Sequence, residues 1–171
     1  MPQHDVAAIA NEFLRLAKKE GRALTNMQLQ KLPYIAHGWS LALLENPLIG
    51  RQPKVWQYGP VYPDLYQALR RYGAGPVTNL ILKGDVEPFS SAPDEVVEAD
   101  LSAVEKQLLG VVWEKYKPLS GIQLSTITHK DGTPWTETKA RVGLYASIDN
   151  ETIKTHYQAL AQRNRTKPAS E

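Results

Sequence analysis

The chain has 171 residues, 20 basic and 18 acidic for a formal net charge of +2, and no cysteine. A length of this order suits one ordinary domain that buries roughly 70 per cent of the surface its unfolded chain exposes, and the lack of thiols excludes a disulfide framework and every thiolate metal or redox site. With no run near the ~18 apolar residues of a membrane span, and no basic segment leading into an apolar stretch at Met1-Pro2-Gln3-His4-Asp5, the chain is expected to be cytoplasmic, with no membrane partner.

Val6, Ile9, Ala10, Phe13 and Ala17 recur at helical spacing, which predicts a first helix closed by Gly21 in a left-handed cap. Thr25 then stands three residues before Gln28, and Leu24 stands before Leu29, the signature of a capping box with a hydrophobic staple. The helix that starts there carries Leu29, Leu32, Ala36, Trp39 and Leu43 on one stripe, widened by Ile35 and Ala42, and reads as the central helix. Pro33 lies inside it. Proline lacks the amide for the intrahelical bond and costs roughly 3 kcal/mol there, so a kink or break is expected near Gln30 to Leu32.

After Pro47 the helical pattern lapses, and Val55-Trp56-Gln57-Tyr58 alternates as a short strand does. Pro60 and Pro63 are expected to set up a third helix with Leu65, Leu69 and Tyr72 inward, Gln67, Arg70 and Arg71 outward, and Gly73 at its end. From 74 to 100 the chain reads as a loop-rich, mobile excursion. Leu80-Ile81-Leu82 is the place in it for a short strand, and its carboxylates concentrate between Asp85 and Asp100.

Leu101, Val104, Leu108, Val111, Val112 and Tyr116 mark a fourth helix ended by Pro118, and Leu119-Ser120-Gly121-Ile122-Gln123-Leu124 repeats the cap and staple of Leu24 to Leu29. A last helix from about Asn150 turns Ile153, Tyr157 and Leu160 inward, ahead of a polar tail at 164–171 that is expected to fray. The sum is a mainly α fold: a compact single-domain bundle of five to six helices with at most a few short β-strands.

Chemistry-bearing motifs are sparse. Gly73-Ala74-Gly75 is too short for a dinucleotide fingerprint, no Walker lysine is present, and no serine occupies a nucleophile elbow. No two histidines share an i, i+4 ligand spacing; His129, before Pro134-Trp135, stands at the one suggestive junction, and a structural role with a ring nitrogen bonded to a backbone carbonyl is the expectation. These residues point to a non-enzyme without cofactor or metal, although a paired-carboxylate site stays open. A nucleic-acid reading has one support: the first two helices could form a helix-turn-helix with Asn26, Gln28, Gln30 and Lys31 near a groove. The near-neutral charge argues against it, because the phosphate term would be weak.

Three blocks carry a resemblance. The first is Leu24-Thr25-Asn26-Met27-Gln28-Leu29-Gln30-Lys31-Leu32 with Tyr34-Ile35-Ala36-His37-Gly38-Trp39. The second is Trp56-Gln57-Tyr58-Gly59-Pro60-Val61-Tyr62-Pro63 with Tyr66 and Tyr72-Gly73. The third is Leu124 with His129-Lys130-Asp131-Gly132-Thr133-Pro134-Trp135. In this order they resemble the Panacea antitoxin domain of SocA-like antitoxins and GepA-like phage-associated proteins, with Pro33 as a departure from the family pattern. The resemblance implies one Panacea-like domain over 1–163 and an antitoxin that neutralises, by direct contact, a toxin encoded by an adjacent gene. It also implies that some members bridge their toxin to a protease.

Aromatic and arginine side chains dominate protein interfaces, so the toxin-binding candidates are Trp56, Tyr58, Tyr66, Arg70, Arg71, His129 and Trp135. Trp39, Trp113 and Trp56 are expected in the core, and Tyr66, Arg70 and Arg71 on the surface. The carboxylate-rich excursion is a second candidate contact, for a basic face on the toxin.

Overall fold

A computed structural model describes residues 3–166. Its helices are α1 (Val6–Lys19), α2 (Asn26–Leu44), α3 (Pro63–Leu69), α4 (Lys83–Val86), α5 (Ala103–Tyr116), α6 (Gly121–His129), α7 (Pro134–Arg141) and α8 (Asn150–Thr166), and its strands are β1 (Lys54–Trp56) and β2 (Gly59–Val61). The mainly helical class expected from the apolar periodicities is what folds.

Local signals start the helices where the sequence places them. The Thr25–Gln28 and Ser120–Gln123 capping boxes both form, and a third, Ser102–Glu105, opens α5. Gly21 closes α1 at φ 66°, a left-handed conformation that glycine adopts without a steric penalty. α2 is the hub: every residue from Leu29 to Leu41 is buried, and α1, α5, α6 and α8 pack around it. A helix buried on all sides belongs at the centre of a domain.

Of the kink or break expected near Gln30 to Leu32, the break does not occur, since α2 runs unbroken from Asn26 to Leu44 with Pro33 inside. Packing on every side outweighs the local cost of one missing bond, and tertiary context commonly overrides propensity in this way. Leu43, placed on the inward stripe by spacing, is 50% exposed. In α5 the buried stripe is Glu105, Leu108, Leu109, Val112, Trp113 and Tyr116, while Val104 and Val111 face outward.

Pro60 belongs to β2, opposite Val55 in the antiparallel ladder, so Pro63 alone begins α3 as its first residue. The excursion from 74 to 100 is fastened. The Asn11 carboxamide donates to the carbonyls of Ile81 and Val97, each at 3.0 Å, and accepts the Ile81 amide at 2.7 Å. Val77, Ile81 and Val97 are buried beside it. Leu80-Ile81-Leu82 makes a single bridge, Leu82 to Val96, in place of a strand.

Two helices were not anticipated: the single turn α4, and α7. The second had a legible start, with Thr133 accepting the Thr136 amide and Pro134 at the first helical position, both ordinary openings. α8 continues to Thr166, through the first part of the expected tail; the remainder, 167–171, lies outside the described residues.

Candidate functional site

The residues singled out by sequence converge on the β1–β2 hairpin, which polar contacts from the helices hold in place. Lys31 and Gln30 project from α2 toward it. The Lys31 ammonium donates to the Pro60 carbonyl at 2.8 Å, and the Gln30 carboxamide accepts the Tyr62 amide at 3.1 Å while donating to Asn26. Lys31 is 1% exposed, and burial pushes its ammonium from the ordinary 10.5 down to about 7, because a charge loses its hydration there. Gly59, at φ 111°, completes the fit: a Cβ at that position would stand 2.9 Å from the Lys31 nitrogen. From the other side, the Ser125 hydroxyl of α6 donates to the Tyr58 carbonyl at 2.5 Å.

On this base the aromatics separate into anchored and displayed groups. The Trp135 indole donates to the Trp56 carbonyl at 2.8 Å and is 6% exposed, so it belongs mostly to the interior. His129 lies edge-on to Trp135, and its Nδ1–H donates to the Ser125 carbonyl at 2.5 Å, the structural role expected of it. Trp39 and Trp113 are core, whereas Trp56 is half-buried, edge-on to Tyr66 with centroids 5.1 Å apart. Tyr58 is displayed at the hairpin tip, 61% exposed.

Arg70 and Arg71 are both exposed, in the 3₁₀ turn that extends α3. Arg71 pairs with Asp85 at 2.8 Å and lies over the Tyr72 ring. Arg70 has no carboxylate partner among the described residues. The structure thus joins Trp56, Tyr58, Tyr66, His129 and Trp135 around one hairpin, and turns Arg71 toward the excursion.

Other readings lose their geometric basis. Asn26, Gln30 and Lys31 are 6%, 2% and 1% exposed, and the Gln28 carboxamide accepts the Thr25 amide and donates to Leu119. The side chains that would read a groove face the interior, so the helix-turn-helix reading fails. His37 is also spoken for, with Nδ1 accepting the Ile49 amide at 3.1 Å and Nε2–H donating to Asn150 at 2.9 Å; its burial lowers the pKa and favours the neutral ring. Among the described residues no three His, Asp or Glu side chains could jointly hold a metal ion, and no helix is long and apolar enough to cross a membrane. In the excursion, Asp85, Glu95 and Glu98 already pair with Arg71, Lys83 and Arg15.

The 142–145 segment beside β1, where Val142, Leu144 and Tyr145 are exposed, belongs to none of the motifs legible from spacing. A run of large apolar residues directly after basic Lys139 and Arg141 was the available signal.

The family model for the antitoxin SocA-like Panacea domain matches residues 29–136. Antitoxin SocA of Caulobacter vibrioides (strain NA1000 / CB15N) is 29% identical over 136 residues, covering 77% of this chain and 68% of that protein. No solved structure matches the chain.

Proposed function

The chain belongs to the SocA-like Panacea-domain antitoxin family, and from that premise we propose that it is the antitoxin of a toxin–antitoxin pair. It neutralises its cognate toxin by direct protein contact, performs no catalysis of its own, and its partner is encoded by an adjacent gene. The observation that carries this reading is the hairpin face. Within the family-matched span, α2 spends a buried lysine and glutamine on holding a hairpin that displays Tyr58 at its tip, beside half-buried Trp56 and the half-buried Tyr66 of α3. A rigid platform of displayed aromatics is what protein recognition needs, because little side-chain freedom is lost on binding.

The contact surface consists of exposed Tyr58, of Trp56 and Tyr66, the latter half-buried where the sequence placed it on the surface, and of the arginines beyond them, with Arg70 offering a guanidinium for a toxin carboxylate. Trp135 and His129 act from behind, by fixing Trp56 and the end of α6. The excursion supports Arg71 through Asp85, and its Glu95 and Glu98 are engaged with Lys83 and Arg15.

Co-expression with the adjacent gene's product, scored by growth rescue and co-purification at moderate salt, tests the function. A toxic neighbour that this chain neutralises in a stable complex is the expected result; a harmless neighbour, or rescue without a complex, would remove direct neutralisation. A folded Tyr66→Ala, Arg70→Ala, Arg71→Ala triple variant is expected to bind at least tenfold more weakly. Unchanged affinity would displace the contact from α3.

A further inference from the structure

Between α7 and α8 the backbone carries Val142-Gly143-Leu144-Tyr145 outward, with Val142 68%, Leu144 49% and Tyr145 70% exposed. Surface connections ordinarily carry small polar residues, so a cluster of large apolar side chains there calls for a reason. Tyr145 stands at φ 68°, a conformation that a bulky residue adopts only when its surroundings impose it.

The surroundings do impose it. The Tyr145 amide donates to the Val55 carbonyl at 2.7 Å, the Val55 amide to the Ala146 carbonyl at 2.9 Å, and the Ile148 amide to the Pro53 carbonyl at 2.9 Å. The Lys54 ammonium donates to the Ser147 hydroxyl at 2.6 Å, and Ile148 is fully buried. Residues 145–148 therefore lie against β1 through a single antiparallel bridge, Lys54 to Ser147, and the exposed tyrosine is held on a fixed backbone. Such pre-ordering lowers the entropy lost when a side chain is captured by a partner.

Two lysines stand beside the patch. Lys54 pairs across the ladder with Ser147, and Lys139 lies one turn before Val142 with its ammonium over the Trp135 ring. Neither has a carboxylate partner among the described residues. Arg141 reaches Asp149 only at 3.5 Å.

We propose that Val142, Leu144 and Tyr145 form an anchor that inserts into an apolar pocket flanked by carboxylates on the toxin, with Lys54 and Lys139 meeting those carboxylates. The inference rests on the antitoxin reading above and extends its contact surface across β1. The two cations without a carboxylate partner favour an occupant whose pocket is flanked by carboxylates, since complementary charge steers and orients association.

The test is a titration with the purified adjacent-gene product. Tyr145→Gly removes the ring and leaves a residue at ease at φ 68°, so its melting temperature is expected to stay near that of the wild type while affinity falls about 30-fold or more. Tyr145→Phe is expected to bind as the wild type does, and Lys54→Gln with Lys139→Gln to slow association and flatten its salt dependence. A Val142→Ser, Leu144→Ser variant supplies the same readout if the glycine variant folds poorly.

Wild-type complex formation with undiminished affinity in Tyr145→Gly overturns the anchor and leaves the antitoxin reading intact. No complex and no growth rescue with the wild type overturns both. Self-association, or binding to phosphatidylglycerol vesicles, that Tyr145→Gly abolishes while toxin affinity holds would assign the patch to a second copy or to a membrane surface instead.

Discussion

Gly38 and Trp39 of α2 meet Tyr157 of α8 through ring and backbone contacts, with the Trp39 and Tyr157 rings edge-on at 5.1 Å. Earlier in the same helix, Gln30 and Lys31 meet the β1–β2 hairpin through hydrogen bonds at 3.1 and 2.8 Å. The first contact is governed by volume. The second is governed by charge state and by whether a carbonyl and an amide find their partners. One helix thus serves both as a core element and as the mount of a recognition surface, and the two contacts should fail in different ways.

The largest effect is expected at Gly38→Ala. A Cβ there would overlap the Tyr157 ring, which is 4% exposed and has little room to move, so a loss of about 3 kcal/mol independent of pH should appear in urea melts. A loss below about 1 kcal/mol would show that α8 can shift and that volume is not what limits this contact.

Next comes Asn11→Ala, which leaves the Ile81 amide and two carbonyls of the excursion without their clasp. About 2 kcal/mol of destabilisation is expected, with new proteolytic cleavage between 88 and 94 while the α2–α8 core persists. Cleavage at wild-type rates would show that the apolar contacts of Val77, Ile81 and Val97 are sufficient.

The polar contact should reveal itself through pH. Burial depresses the Lys31 pKa from 10.5 to about 7 in the folded chain, so between these values the unfolded chain binds more protons than the folded one. Stability contributed by this group therefore rises with pH across that window, by at most about 1.4 kcal/mol per unit, and is lost as pH falls through 7. Urea midpoints at pH 7, 8 and 9.5 should climb in the wild type relative to Lys31→Met; parallel profiles would mean that Lys31 stays charged in the fold.

The smallest stability effect belongs to the displayed residues. Tyr58→Ala is expected to change stability by no more than about 0.5 kcal/mol while weakening the toxin complex, and a larger stability loss would make the hairpin tip part of the core.

Much of the helical framework was legible because its signals are local. Thr25 with Gln28, Ser120 with Gln123, and Gly21 act within a few residues of themselves, and the apolar periods of α1 and α8 need only their own helix. Of the site, the hairpin aromatics were legible as a block of unusual composition. Which of them would be displayed was not, since Trp135 is drawn inward by the Trp56 carbonyl, which lies 79 residues away in sequence.

By itself the sequence determined the class of fold, the centrality of α2, the starts of most helices and the family, because capping, periodicity and motif order are written in contiguous residues. Tertiary structure alone decided the rest. It kept α2 continuous through Pro33, clasped the excursion with Asn11, turned Asn26, Gln30 and Lys31 away from solvent, and stitched 145–148 to β1. Each of these depends on a partner from a distant part of the chain, and the free energy of a long-range hydrogen bond or a filled volume has no counterpart in the spacing of neighbouring residues.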